Sequence, residues 1–378
     1  MVSFSLFSLV VSFAFSVAAT PVNIIPLGSS PLQVAITAGD TNAVVKLALT
    51  NFGPRDLEIL NLGTFLFNAP IEKVTLFRNG ERLNFKGLLM HYDFRHLRDS
   101  SFTVIRAGQT IEKPVELAGL YDFTETGTYT IEARGALSFA SLGDRDALPI
   151  SGTSGKPENA FAFATNQIDL HIDAIAAAAV EPLGLAIARR GIFQGCSGSR
   201  ASALQTAFKN AVTISRQAAE AAASGSADRF QEHFKTTDAN TRKDVAARFK
   251  AIAKATTSTS SGVPRYYCTD PAGECKDNIL AYTHPETNTV ANCDIFYTDL
   301  PALSMQCSEQ DQVGTVIHEL SHTPGVYGPY CQDYAYGYTQ ASKLTAEEAE
   351  HNADTFALYA KAVYLNCGGN DSGPTSPF

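Results

Sequence analysis

The chain has 378 residues, a formal net charge of -9 and 45% hydrophobic residues. That length exceeds one ordinary domain and suits two, and the acidic balance argues against nucleic acid or an anionic membrane surface as a partner. All seven cysteines lie between Cys196 and Cys367, so the two halves have different fates; six can pair and one is left over.

Residues 1–19 read as a signal peptide. Phe4 to Ala18 is a short apolar run that ends in the small residues Val17-Ala18-Ala19, although its start lacks Lys or Arg. The run is too short for a convincing membrane span, and no other run is long and apolar enough to cross a bilayer. Residues 20 to about 175 are strand-rich. Val44 to Thr50, Lys73 to Phe77 and Tyr129 to Ala133 alternate or run apolar, and turn signals at Gly53-Pro54 and Asn79-Gly80 separate such stretches. An antiparallel, sandwich-like β fold is expected there. Its histidines, His91, His96 and His171, are scattered and read as ordinary side chains.

Ser151 to Asn159 is a loop by composition. The pair Arg189-Arg190 stands just before the cysteine-bearing segment and reads as a processing site. Beyond it, Ser199 to Ala223 and Asp238 to Lys254 carry apolar residues at helical spacing. Tyr266 to Cys268, Ile279 to Tyr282 and Thr289 to Tyr297 read as short strands. Asp311 to Ser321 is a helix ended by Pro324-Gly325, and Thr345 caps a last helix running to about Leu365.

The stretch with chemistry is Val316-Ile317-His318-Glu319-Leu320-Ser321-His322. On a helix, positions i and i+4 share a face, so His318 and His322 can offer imidazole nitrogens to one metal. Two such histidines and one further protein ligand leave a fourth position for water, which is an open catalytic zinc site. Zinc brings the pKa of its water to about 7. Glu319 can take that proton and return it to the leaving amine. The third ligand has three readings. The metzincin pattern H-E-x-x-H-x-x-G-x-x-H is excluded, because Gly328 stands at its last position. A carboxylate from the following helix is geometrically open to Glu347, Glu348, Glu350 or Asp354, and Asp333 in the intervening bend is the other reading.

His318 to Tyr327, followed by Asp333-Tyr334-Ala335-Tyr336-Gly337-Tyr338, resembles the fungal deuterolysins, the Asp-zincins also called neutral protease 2. Asn352 to Leu358 matches that family's later helix, and the resemblance spans the whole chain. It implies that Asp333 is the third zinc ligand and that the phenol of Tyr336 donates to the oxyanion of the tetrahedral intermediate. It places Asp354 beside the site, as an acceptor that orients a histidine ligand, with direct ligation by Asp354 as the alternative. The chain departs from the family motif at Tyr330-Cys331-Gln332, where Gly-Thr-x is usual. Three disulfides are implied: Cys196–Cys268, Cys275–Cys293 and Cys307–Cys367. Cys331 is then the odd thiol, read as a small buried side chain rather than a competitor for zinc.

The expected organisation is therefore a signal peptide (1–19), a β-rich propeptide (20–190) and a mature α+β, zincin-like metallopeptidase domain (191–378) with one Zn2+ per chain. The expected activity is that of a secreted, monomeric neutral endopeptidase acting on proteins and peptides. The segment around the motif is acidic, with Lys276, Lys343 and Lys361 its only cations after Arg265. Both that charge and the resemblance point to basic substrates such as histones and protamines. The propeptide is expected to assist folding or cover the cleft. A secreted binding or adhesion module with a structural metal is the alternative, and Glu319 discriminates, because a structural site has no use for a carboxylate beside the metal. Asn370-Asp371-Ser372 is a glycosylation signal.

Overall fold

The computed structural model describes residues 30–148, 159–180, 193–258, 262–276 and 278–367. The signal segment, Arg189-Arg190 and Asn370 lie outside these residues, as does most of the loop from Ser151. The first half contributes β1 (Leu32–Ala38), β2 (Val44–Asn51), β3 (Leu57–Leu60), β4 (Thr75–Arg78), β5 (Glu81–Arg82), β6 (Leu89–Tyr92), β7 (Phe102–Ile105), β8 (Thr110–Glu116), β9 (Gly127–Glu132), β10 (Arg134–Ser141), β11 (Ala160–Ala164), β12 (Ile168–Ile172) and the short helix α1 (Ala174–Ala178). Eleven of its strands form three antiparallel sheets, ordered β1-β2-β8, β11-β10-β3-β7 and β12-β9-β4-β5. Strand β2 alternates half-buried and buried positions, the signature of a strand with one face on a core. Val45, Leu47 and Leu49 enter that core with Ile36, Ile59, Leu76, Ile131 and Leu137. Asn79 and Gly80 both take positive φ (51° and 82°), as the tight β4–β5 hairpin requires.

The second half contributes β13 (Phe193–Gln194), α2 (Gly198–Ser224), α3 (Ala227–Phe234), α4 (Ala239–Ala255), β14 (Arg265–Tyr267), β15 (Ile279–His284), β16 (Thr289–Asn292), α5 (Asp294–Thr298), α6 (Gln312–Ser321), α7 (Gly337–Ala341), α8 (Ala346–Glu350) and α9 (Ala353–Leu365). In α2, Leu204, Phe208, Ala211, Ile214, Ala218 and Ala222 are buried at helical spacing, while alanine elsewhere favours the helix at little entropic cost. Asp238 caps α4 by accepting from the Asn240 and Thr241 amides, and Val245, Phe249 and Ile252 face inward. Helix α3, capped by Ser226, has no counterpart among the elements expected from sequence. Phe230, Phe234, Phe249, Phe356 and Tyr359 from α3, α4 and α9 meet in one apolar cluster. Strand β16 is shorter than expected, and helix α5 follows it after Cys293.

Three disulfides lock this half: Cys196–Cys268, Cys275–Cys293 and Cys307–Cys367. Cys331 is a free thiol and is buried, and burial raises its pKa. The sheet of this half runs β13-β14-β16-β15-β6. Its last strand therefore comes from the first half. Strand β6 pairs antiparallel with β15, setting His91 opposite Ala281 and Met90 opposite Tyr282. Without β6, β15 would present an open edge.

Candidate metal centre

Asp311 caps helix α6, and its carboxylate accepts from the Gly314 amide and from the ammonium of Lys361 on α9. Asp311 and Lys361 are both buried, so the start of α6 is tied to α9 through a charged pair shielded from solvent. One turn of helix then brings His318 and His322 together, both wholly buried. Their Nε2 atoms lie 3.1 Å apart. His318 Nδ1 is 3.2 Å from Asp354 Oδ1, and His322 Nδ1 is 2.8 Å from the Cys331 carbonyl oxygen. These acceptors put the ring protons on Nδ1. Both Nε2 lone pairs then face one point, an arrangement that calls for a cation between them.

Asp333 supplies a third atom to that point. Its Oδ1 lies 3.3 Å from His318 Nε2 and 3.2 Å from His322 Nε2, and it has no hydrogen-bond donor. Ligands about 2.0–2.1 Å from a tetrahedral zinc are roughly 3.3 Å apart, so the three atoms fit that ion. Electrostatics agree. Burial alone would lower the pKa of His318, yet the carboxylates of Asp333 and Asp354 outweigh it and push the imidazole up to about 10. The pocket favours a positive charge at that point.

The bend carrying Asp333 is held from both sides. The Cys331 amide donates to the Ser321 carbonyl at the end of α6, and Arg248 donates to the Ser321 and Pro329 carbonyls. Gln332 pairs with the chain at Asn352: its amide donates to the His351 carbonyl, and the Ala353 amide donates to its carbonyl. The Asn352 side chain accepts from the Tyr334 and Ala335 amides and donates to the Ala335 carbonyl. This pairing corrects one expectation. The helix expected from Thr345 to Leu365 is broken into α8 and α9, because the backbone groups at 351–353 serve the Asp333 bend instead. Arg248 was not singled out in the sequence, and Asn352 entered only as the first residue of the matching later helix; an asparagine in a helical pattern was the available signal for its role.

Asp354 meets His318 on the nitrogen remote from the convergence point, and its other oxygen accepts from the Gly337 amide. Glu347, Glu348 and Glu350 do not join the metal-competent group. Glu348 instead closes a capping box with Thr345. Glu319 is wholly buried beside the pair. Its Oε2 accepts from Thr283 Oγ1 at 2.5 Å, while Oε1 has no partner. Burial pushes its pKa up to about 7, against the pull of both imidazoles. Tyr336 is buried, with its ring 6.2 Å from that of His318.

The expectation that His91 is an ordinary side chain does not hold. Its ring stacks on His318 with centroids 4.1 Å apart and planes 9° from parallel. The rest of β6 is equally close: the Met90 amide donates to Asp333 Oδ2 at 3.2 Å, and Tyr336 Oη donates to the Met90 carbonyl at 2.8 Å. Gly63, at φ +69°, packs on the Tyr336 ring so closely that a Cβ there would lie 2.5 Å from Cε2. A neighbouring cavity beside Asp333 is lined by Glu347 and Glu348 of the second half and by Arg82 and Arg134 of the first.

A family model described as the deuterolysin metalloprotease (M35) family matches residues 1–367. A neutral protease 2 homolog of Aspergillus oryzae is 42% identical over 365 residues, covering 96% of this chain and 99% of that protein. A neutral protease 2 homolog of Neosartorya fischeri is 42% identical over 339 residues, 90% of each chain. The Aspergillus oryzae protein named neutral protease 2 is 37% identical over 355 residues, 93% of this chain and 97% of its own.

Proposed function

The chain belongs to the deuterolysin metalloprotease (M35) family and is a zinc metalloendopeptidase, and on that premise we propose that it is a secreted zymogen whose mature form, residues 191–378, hydrolyses basic proteins as a monomer. One zinc is held by His318, His322 and Asp333. The observation that carries this reading is the convergence of three ligand atoms at 3.1–3.3 Å separations, with an unpartnered carboxylate oxygen beside them. When bound, zinc supplies an acidified water and polarises the peptide carbonyl.

The protein's own groups do the remaining work. Glu319 takes a proton on Oε1 while Thr283 holds Oε2, then delivers the proton to the leaving amine. Tyr336 donates its hydroxyl to the developing oxyanion. Asp354 and the Cys331 carbonyl fix the tautomer and tilt of the two imidazoles. Residues 20–190 serve as a propeptide that assists folding and covers the cleft until cleavage after Arg190. Three disulfides support an oxidising, extracellular setting. Glu347 and Glu348 beside Asp333, together with the scarcity of Lys and Arg after Arg265, support a preference for cationic substrates such as histones and protamines. The alternative of a binding module with a structural metal is not favoured, since a structural site fills all four positions with protein ligands.

Glu319→Gln tests the mechanism. The processed variant should retain one zinc and lose roughly 100- to 10,000-fold in casein hydrolysis; undiminished hydrolysis would remove Glu319 from its role.

A further inference from the structure

The first half does more than lie over the site. Strand β6 completes the sheet edge at β15, and alternation along it turns His91 away from the side taken by Met90 and Tyr92. Ala281, opposite His91, has too small a side chain to compete for the space beneath. His91 therefore reaches α6 and lies over His318. A ligand-competent nitrogen of His91 lies within 4.8 Å of such atoms of His318 and Glu319.

The hydrogen bonds of Gln310 decide where the His91 proton sits. The Gln310 amide nitrogen donates to the Tyr92 carbonyl at 2.6 Å, and its oxygen accepts from the Phe94 amide at 3.4 Å. Those two backbone partners orient the amide, so its second hydrogen points at His91 Nε2, 3.1 Å away. Nε2 is the acceptor, and Nδ1 carries the proton of the neutral ring. That Nδ1 is buried with no partner, and so is Oε1 of Glu319, a residue with a carboxylate oxygen within 4.8 Å of a nitrogen of the His91 ring. An orphaned donor and an orphaned acceptor in the same buried site are complementary.

We propose that His91 is a latency residue: its Nδ1–H donates to one bridging water that in turn donates to Glu319 Oε1, and so engages the general base while the Met90 carbonyl occupies the hydroxyl of Tyr336. The two reacting groups of the second half are each satisfied by one residue of β6. Latency then comes from occupied hydrogen bonds as well as from steric cover. The inference deepens the reading of residues 20–190 as a propeptide and of Glu319 as the base, and it rests on both.

The test uses the full-length, unprocessed, zinc-loaded chain, with the processed wild-type enzyme as reference. His91→Ala should raise peptide hydrolysis by the unprocessed chain at least about tenfold, because Glu319 Oε1 is released to take the proton. It should raise the rate of zinc transfer to a chelator by a similar factor. His91→Gln, which keeps an amide donor of similar reach, should restore most of the latency. Amide exchange across β6 and β15 reports that the strand stays docked in each variant. If His91→Ala leaves both hydrolysis and zinc transfer at the wild-type level with β6 docked, the latency role is overturned. A Co2+-loaded chain whose ligand-field spectrum changes on His91→Ala would also overturn the donor assignment, since it would make His91 a metal ligand. Failure of the underlying reading looks different: the processed wild-type enzyme would be inactive, or the unprocessed one equally active.

Discussion

The two halves of this chain reach stability by different routes. The first has no cysteine and is built from three antiparallel sheets closed by ion pairs such as Glu58–Arg145 and Glu132–Arg134. The second packs helices on a sheet and is cross-linked at three places, with loops of 72, 18 and 60 residues. The difference matches the fates proposed for them. A domain that must survive outside the cell gains from cross-links that persist without its partner, whereas a cover that is to be discarded does not need them. The halves meet through β6, which the second half's sheet uses as its edge and whose residues touch Asp333, Tyr336 and His318.

Removing zinc should separate the halves most strongly. A chelator should abolish peptide hydrolysis by the processed enzyme, and added Zn2+ should restore it. In the full-length chain, calorimetry should show a lower unfolding temperature for the second half and little change in the first. Equal shifts in both would mean that the halves unfold as one unit.

Cross-links come next. Replacing Cys196 and Cys268 together by alanine removes the closure of a 72-residue loop. The expected loss is about 4 kcal/mol from the second half alone, measured by urea unfolding of the processed enzyme. A smaller effect follows from Asp354→Asn, which weakens the acceptor on His318 Nδ1. Zinc affinity should fall about 10- to 100-fold in a competition titration, with the fold unchanged by circular dichroism.

The smallest effect is on acid stability, and it concerns the first half. Arg145 holds the buried carboxyl of Glu58 below its usual range; burial opposes this. Arg134 and Gln167 outweigh burial in the same way at Glu132. A carboxyl whose folded pKa is depressed stabilises the fold above its unfolded value, and that contribution is lost as pH falls through the folded value. The unfolding temperature of the first half should therefore be level above about pH 4.3 and decline below it. Arg145→Gln should flatten that decline while lowering the plateau.

The parts legible in the sequence were those with local periodicity. Alternation marked β2 and β9, alanine-rich helical spacing marked α2, and Asn79-Gly80 marked the turn that joins β4 to β5. The break between α8 and α9 was not legible. The stretch from Thr345 is helical in composition, and only its pairing with Gln332 diverts the backbone. His91 was missed for the same reason: nothing near it in sequence is unusual, and its meaning comes from a strand that joins another half's sheet.

His318, Glu319 and His322 needed no knowledge of the rest of the molecule, because helix geometry places i and i+4 on one face wherever the helix forms. The amino-acid order also confined every cysteine to one half and so set where cross-links could form. Tertiary structure decided which carboxylate faces the two free imidazole nitrogens and which one turns to the far side. It also decided that the open edge of β15 is filled by β6. Such pairings depend on where distant segments pack, and residue periodicity describes only the few turns or strand positions around each side chain.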